Sequence, residues 1–483
     1  MFIPSLMLQG TGSDVGKSVL TAGLCRAYTR RGLKVRPFKP QNMSNNAAVT
    51  INGGEIGRAQ ALQARACGVA PHTDMNPVLL KPQSDTGAQV IVNGKLVGNA
   101  KAQEFQDMKA NLMGVVLEGF NRLFAGADLV LVEGAGSAAE VNLRNGDIAN
   151  MGFAEAADLQ VILIGDIDRG GVIAQLLGTW NLLTRTERAR TRGFIVNKFR
   201  GDISLFEEGL TIIQEKSNMF SYGVVPWFSE VSRLPREDAF NISVEKPLEG
   251  TIKIAVPILS RIANFDDLDP LRGERDVSIM MVCPGEPLPG DADLVILPGS
   301  KATLYDLAFF RAQGWDIDLT AHIRRGGMVL GICGGYQMLG KSISDPDGIE
   351  GAPAIAEGLG FLDIETVLRG EKTLVEVSGT DTTTNSEVSG YEMHVGQTIG
   401  ADTGRPMLLL GREKDGAISA DGKIAGCYVH GLFGSDSFRT AFLRRIRPGM
   451  RDTLNYEGAI DGVLDALAEH LETNLDLDGM IDD

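Results

Sequence analysis

Two stretches carry residue types at spacings that suit chemistry. Residues 10 to 18 read GTGSDVGKS. A phosphate cradle needs glycines that turn backbone N–H groups toward anionic oxygens, a lysine that reaches the outer phosphates and a hydroxyl that can hold magnesium. Gly10, Thr11, Gly12, Ser13, Asp14, Val15, Gly16, Lys17 and Ser18 supply all three. The loop misses the pattern G-x-x-x-x-G-K-[ST] by one place: Thr11 stands where the first glycine belongs, between Gly10 and Gly12. A magnesium ion also wants carboxylate, and Glu133 comes first, Asp166 second, because each closes an apolar run. The second stretch, GGMVLGICGGYQMLG, sets Cys333 in a G-x-C-x-G frame between an expected strand and an expected helix. Small residues permit a sharp turn there that lifts a thiol clear of a sheet. The amides that follow favour thiolate, and the Gly334 N–H can point into an oxyanion hole. A nucleophile of this kind needs a base, and His430 in CYVHGLFG is the candidate. Cys25, Cys67, Cys283 and Cys427 read instead as small buried hydrophobes.

The elements around these residues repeat one theme. ADLVLVEGAG, LQVILIGDIDRGG and RGFIVNKFRGD are apolar runs that stop abruptly at Glu133, Asp166 and Asn197, each followed by a helix-like segment. Such alternation predicts a parallel sheet covered on both faces, with ligands gathered beyond the carboxyl ends of its strands. LMLQ before the loop and KSVLTAGLCRAYTRRG after it predict strand, loop and helix in the order a phosphate site requires. The theme dissolves near residues 229–250 and resumes with TIKIAVPIL, VSIMMV, ADLVILPGS and AGCYVHGLFG. The fold expected is therefore α/β with two doubly wound domains, at 1–235 and 251–445, joined by a linker at 236–250. A helical tail at 446–483 carries Ile460, Val463, Leu464, Leu467 and Leu471 at helical spacing.

Bulk properties limit the classes of function. The chain of 483 residues is 43% hydrophobic and 22% charged, without an apolar run long enough for a membrane helix. The start has no basic n-region and runs straight into the loop, so a cytoplasmic location is expected. Five scattered cysteines, never spaced C-x-x-C, argue against a disulfide framework and a structural zinc. A net charge of −16 disfavours nucleic acid and anionic membranes as partners and points to small-molecule chemistry.

The loop resembles that of dethiobiotin synthetase and its relatives, P-loop enzymes that use ATP to activate carboxylates. VEGAGS at 132–137 is similar to that group's metal-binding strand end, and VNKFRGD at 196–202 to its base-recognition segment, which implies Asn197 near adenine. The thiol domain resembles the class I glutamine amidotransferases, with a flavodoxin-like fold, in which an elbow cysteine attacks the side-chain amide of glutamine and releases ammonia. LPGS at 297–300 looks like the second wall of their oxyanion hole, implying an N–H from Gly299 or Ser300. Those enzymes carry a glutamate two residues after the histidine, where this chain has Leu432. Glu392 or His394, in GYEMHVG, is the candidate to orient His430 in its place.

An ATP site that phosphorylates a carboxylate and a site that frees ammonia share one purpose, amide synthesis. Ammonia is mostly protonated at neutral pH, so a sheltered path between the sites is expected. FKPQNMSNNA at 38–47, EIGRAQALQARA at 55–66, NPVLLKPQSDTGAQVIVNGK at 76–95 and RIANFDDLDPL at 261–271 closely resemble the cobyric acid synthase family. The resemblance implies ATP, magnesium, glutamine and a corrinoid polycarboxylate as ligands, and amidation of the b, d, e and g carboxylates of adenosylcobyrinic a,c-diamide. Gln41, Asn42, Ser44, Asn45 and Asn46 form a dense neutral hydrogen-bonding set, suited to a product whose acids become amides; Arg58, Lys81, Arg144 and Arg169 are candidate partners for remaining carboxylates. The rival readings are a cobyrinic acid a,c-diamide synthase and a partition-type ATPase with a non-catalytic second domain.

Overall fold

The computed structural model describes residues 4–82, 87–235, 252–370, 373–450 and 454–482; the expected linker at 236–250 lies outside them. The chain divides into two compact units, Met1–Glu237 together with Ile460–Asp483, and Asp238–Ala459.

In the first unit six strands form one parallel sheet, in the order Val35–Phe38, Leu129–Glu133, Ser5–Gly10, Gln160–Asp166, Thr191–Phe199, Phe220–Pro226. The side chains of the four inner strands are almost wholly buried because helices cover both faces, which is why those runs read as unbroken apolar stretches. Helix Lys17–Arg30 follows the central strand directly through the loop. A smaller four-stranded sheet, Gln41–Met43, Val78–Pro82, Gly87–Val92 and Lys95–Lys101, departs from the end of the Val35–Phe38 strand.

The sequence set 446–483 apart as a tail, whereas the structure returns the chain to the first unit from Ile460. Packing explains it. Gly23 leaves a flat patch on helix Lys17–Arg30, where an added Cβ would lie 2.5 Å from Leu471 and 2.8 Å from Leu467. Leu464, Leu467 and Leu471 are fully buried there, each contributing about 1.5–3 kcal/mol. Arg26 Nε donates to Asp465 at 2.7 Å, and Tyr28 Oη donates to the Leu477 carbonyl at 2.7 Å.

The second unit has a sheet ordered Val277–Val282, Ile252–Pro257, Leu294–Leu297, Met328–Ile332, Ile424–Cys427, Ala417–Ile418, parallel except for the last pair. An antiparallel sheet built on Thr373–Asp381 and Glu387–His394 joins it, and takes in the short strand Val429–His430. Among the described residues, no helix is long and apolar enough to cross a membrane.

Candidate active sites

The loop wraps its glycines where the backbone demands them. A Cβ on Gly10 would meet the Gly12 carbonyl oxygen at 2.7 Å and Lys17 Nζ at 2.8 Å, and Gly16 has φ 97°, a left-handed conformation that caps the helix. Gly12 meets almost nothing, so Gly10 and Gly16 are the indispensable pair and the extra residue is absorbed between them. Lys17 Nζ bends back over the loop, donating to the carbonyls of Gly12 at 3.2 Å and Gly136 at 2.8 Å. Ser137 Oγ donates to the Thr11 carbonyl at 2.9 Å, which ties the strand end at Glu133 to the loop.

Glu133 is the electrostatic centre of this site. It is fully buried, and Ser18 Oγ donates to its Oε1 at 2.7 Å, Lys39 Nζ to the same oxygen at 2.8 Å and Gln63 Nε2 to Oε2 at 2.6 Å. Burial alone pushes its carboxyl upward, but the Lys39 charge and the three hydrogen bonds outweigh that and hold it below the ordinary carboxylate range. An ionised carboxylate beside a hydroxyl is a hard-oxygen donor set, and fits magnesium. Asp166 does not join it. The central Ser5–Gly10 strand separates their strands, and the Asp166 carboxylate accepts from Lys198 Nζ at 2.8 Å. Asn197 braces the loop, its Nδ2 donating to the Val15 carbonyl at 2.8 Å, where a Cβ on Gly16 would collide with it. Lys39, Gln60 and Gln63 were not singled out in the sequence. Lys39 directly follows a buried strand, the one local signal that could have marked it.

In the second unit Cys333 stands on a strained elbow, φ 51° and ψ −108°, at the end of the Met328–Ile332 strand. Neighbouring glycines make room for it: a Cβ on Gly335 would lie 2.1 Å from the Leu297 carbonyl oxygen, and one on Gly334 2.9 Å from the Ser300 nitrogen. His430 leaves the parallel sheet to pair with Tyr391, whose ring stacks on the imidazole at 5.5 Å. The group orienting His430 is Asp267. Its Oδ2 lies 2.7 Å from Nδ1, and its Oδ1 accepts the Gly431 N–H at 2.6 Å. Asp267 sits in the turn Phe265–Leu268, launched by the left-handed Asn264. Leu432 is wholly buried in apolar core, no place for a carboxylate. Glu392 and His394, the expected candidates, lie 3.7 Å from each other instead, with His394 stacked on Tyr428, and line a separate cavity of about 470 Å³.

With Nδ1 engaged by Asp267, Nε2 is left facing the Cys333 side, and the sulfur is near enough to act on the ring's charge. Burial opposes a charge on His430, but Asp267 and the sulfur outweigh it and push its pKa up to about 10. That rise favours the imidazolium, the form able to give up a proton, over the neutral ring expected of a base. The second wall also resolves. Lys301 N donates to the Arg261 carbonyl at 2.9 Å, and bonded pairs alternate along an antiparallel ladder. Gly299 therefore faces Ala263, and the N–H of Ser300 turns out of the ladder, its nitrogen 2.9 Å from where a Cβ on Gly334 would lie. Gly299 supplies clearance: a Cβ there would lie 3.0 Å from His430 Cε1. Buried Asp306 fixes this wall, accepting from Ser260 Oγ and Ser300 Oγ, each at 2.6 Å, and from Arg261 N at 3.2 Å.

A phosphate loop on one α/β unit and a thiol elbow on the other define a glutamine amidotransferase coupled to a nucleotide-binding domain. Family models agree: residues 6–242 match a CobQ/CobB/MinD/ParA nucleotide binding domain, and residues 253–438 a CobB/CobQ-like glutamine amidotransferase domain. Proteins named cobyric acid synthase are 59% identical over 478 residues in Bradyrhizobium diazoefficiens, covering 99% of this chain and 98% of that one. The values are 58% over 480 residues in Cereibacter sphaeroides, with 99% of each covered, and 60% over 482 residues in Methylorubrum populi, with 99% and 98% covered. The chain belongs to the cobyric acid synthase family.

Proposed function

We propose that this enzyme amidates the b, d, e and g carboxylates of adenosylcobyrinic a,c-diamide, using one ATP and one glutamine for each. The observation that carries this reading is the presence, in one chain, of a Cys333–His430–Asp267 relay and a Ser18–Glu133–Lys39 cluster under a phosphate loop.

In the second unit the Cys333 thiolate attacks the side-chain carbonyl carbon of glutamine, with the N–H groups of Gly334 and Ser300 facing the oxyanion. The C–N bond then breaks as the His430 imidazolium gives its proton to the departing ammonia. Asp267 keeps the ring oriented and stabilises its charge; water, deprotonated by the now neutral His430, hydrolyses the thioester to glutamate. In the first unit a substrate carboxylate attacks the γ-phosphorus of ATP, ADP leaves, and ammonia displaces phosphate from the acyl phosphate. Lys17 and Lys39 neutralise the charge that gathers on the transferred group. Ser18 and Glu133 would hold magnesium, which supplies further charge neutralisation at the phosphate oxygens. Asn197 positions the loop beside the base, and the enzyme acts in the cytoplasm.

Incubation with ATP, magnesium, glutamine and candidate corrinoid acids, with new amides counted by mass spectrometry, tests this. Four additions to the a,c-diamide are expected. Two additions to the unamidated corrin acid would assign the a,c-diamide synthase reaction instead, and none to either would end the corrinoid reading.

A further inference from the structure

The segment Gln41–Asn46 leaves the Val35–Phe38 strand at the carboxyl end of the parallel sheet, the end that holds the phosphate loop. A short chain of hydrogen bonds links it to the reaction centre: Asn42 Nδ2 donates to Gln60 Oε1 at 2.8 Å, and Gln60 Nε2 donates to Glu133 Oε2 at 3.4 Å. Asn42 is thereby committed to structure, its own oxygen accepting the Met43 N–H at 2.8 Å. Gln41 Oε1 and Asn45 Oδ1 are different. Both are shielded from solvent, and neither has a hydrogen-bond partner among the described residues. A buried acceptor left unsatisfied costs about 1–3 kcal/mol, a cost that a bound ligand with N–H donors removes.

The pairing of the candidate cations sharpens the chemistry. Three of the four cations that the sequence offered as partners for substrate carboxylates are matched to acids of this chain: Lys81 to Glu55 in a buried pair, Arg144 to Glu187 at 2.7 Å, Arg169 to Asp14 at 3.3 Å. Lys39 is taken by Glu133. The segment therefore offers neutral amides. A side-chain amide pairs with another carboxamide in both directions, accepting its N–H and donating to its oxygen, whereas a carboxylate brings no donor and sets anion against acceptor.

We propose that Gln41 and Asn45 form a subsite that reads carboxamide arms already present on the polyacid, so that a partly amidated substrate is admitted ahead of its unamidated precursor. This rests on the corrinoid reading above. The test compares full-length wild type with Gln41→Ala, Asn45→Ala and the double variant, by equilibrium binding of cobyrinic a,c-diamide and of unamidated cobyrinic acid. ATP KM and glutamine hydrolysis serve as controls. The wild type should favour the diamide, and each alanine should reduce that preference by about fivefold, chiefly through weaker diamide binding, with both controls unchanged. Gln41→Glu keeps the side chain's shape but adds an anion, and should raise the preference. Equal loss for both corrinoids, or an unchanged ratio in all four variants, would overturn the subsite. A wild type that binds neither corrinoid would overturn the functional reading itself, and the subsite with it.

Discussion

The two sites are built in opposite ways. In the first unit most of the chemistry is local: nine consecutive residues form the loop, and Glu133 reaches Ser18 because its strand lies directly beside the strand that feeds the loop. In the second unit the elbow is local but the relay is not. Asp267, Cys333 and His430 come from three separate segments, and each arrives through a different device, a turn after a left-handed asparagine, a strained elbow and a strand that changes sheets. A phosphate is bound largely by backbone, which a short motif can specify. A proton relay needs side chains at defined distances, which only the completed fold supplies.

Removing groups one at a time should separate the two designs. Cys333→Ala should cut glutamine-dependent amidation by more than about 10⁴-fold, yet leave amidation supported by ammonium salts, measured by amide formation with each nitrogen source. Loss of both would show that the units are not separable. Asp267→Asn should lower glutamine hydrolysis by about 10³-fold. Without that carboxylate the His430 pKa falls from about 10, so the alkaline limb of the pH–rate profile should move to lower pH; an unmoved limb would remove Asp267 from the relay. Lys17→Ala should reduce ATP-dependent amidation by about 10²-fold with either nitrogen source, while glutamine hydrolysis continues. In the helix that returns to the first unit, Leu467→Ala should cost that unit about 2–5 kcal/mol, read by denaturant titration with hydrogen exchange resolving the two units.

The subtlest contrast is with pH. The Glu133 pKa is depressed on folding, so its contribution is present above the unfolded value near 4.3 and is lost as pH falls through the folded one. The His430 pKa is raised, so its contribution is full below about 6.5 and fades as pH climbs toward about 10. Acid should therefore weaken exchange protection in the first unit and alkali in the second; the same sign in both would contradict these assignments.

The two parallel sheets were legible because their strands are buried on both faces and so read as apolar runs ended by Glu133, Asp166 and Asn197. The elbow was legible because Cys333 lies among glycines that the backbone cannot spare. Asp267 was not. RIANFDDLDPL contains Asp266, Asp267 and Asp269, and only the turn geometry says which one faces a histidine 163 residues further on. Lys39 and Gln63 were hidden for the same reason: their shared partner, Glu133, is defined by strand order, which composition does not encode. Asp166 had the same strand-end signature as Glu133, and the intervening strand separates them.

The return of Ile460–Asp483 to the first unit sets an order of events during synthesis. The phosphate loop is made before the second unit, and the leucines that close over Gly23 are made after it. At about 5–20 residues per second, the roughly 220 residues between the two parts take about 10–45 s to make. The second unit, contiguous in the chain, is complete before the first, so the nucleotide-binding half spends translation with an uncovered apolar groove and is finished only when the amidotransferase half already exists.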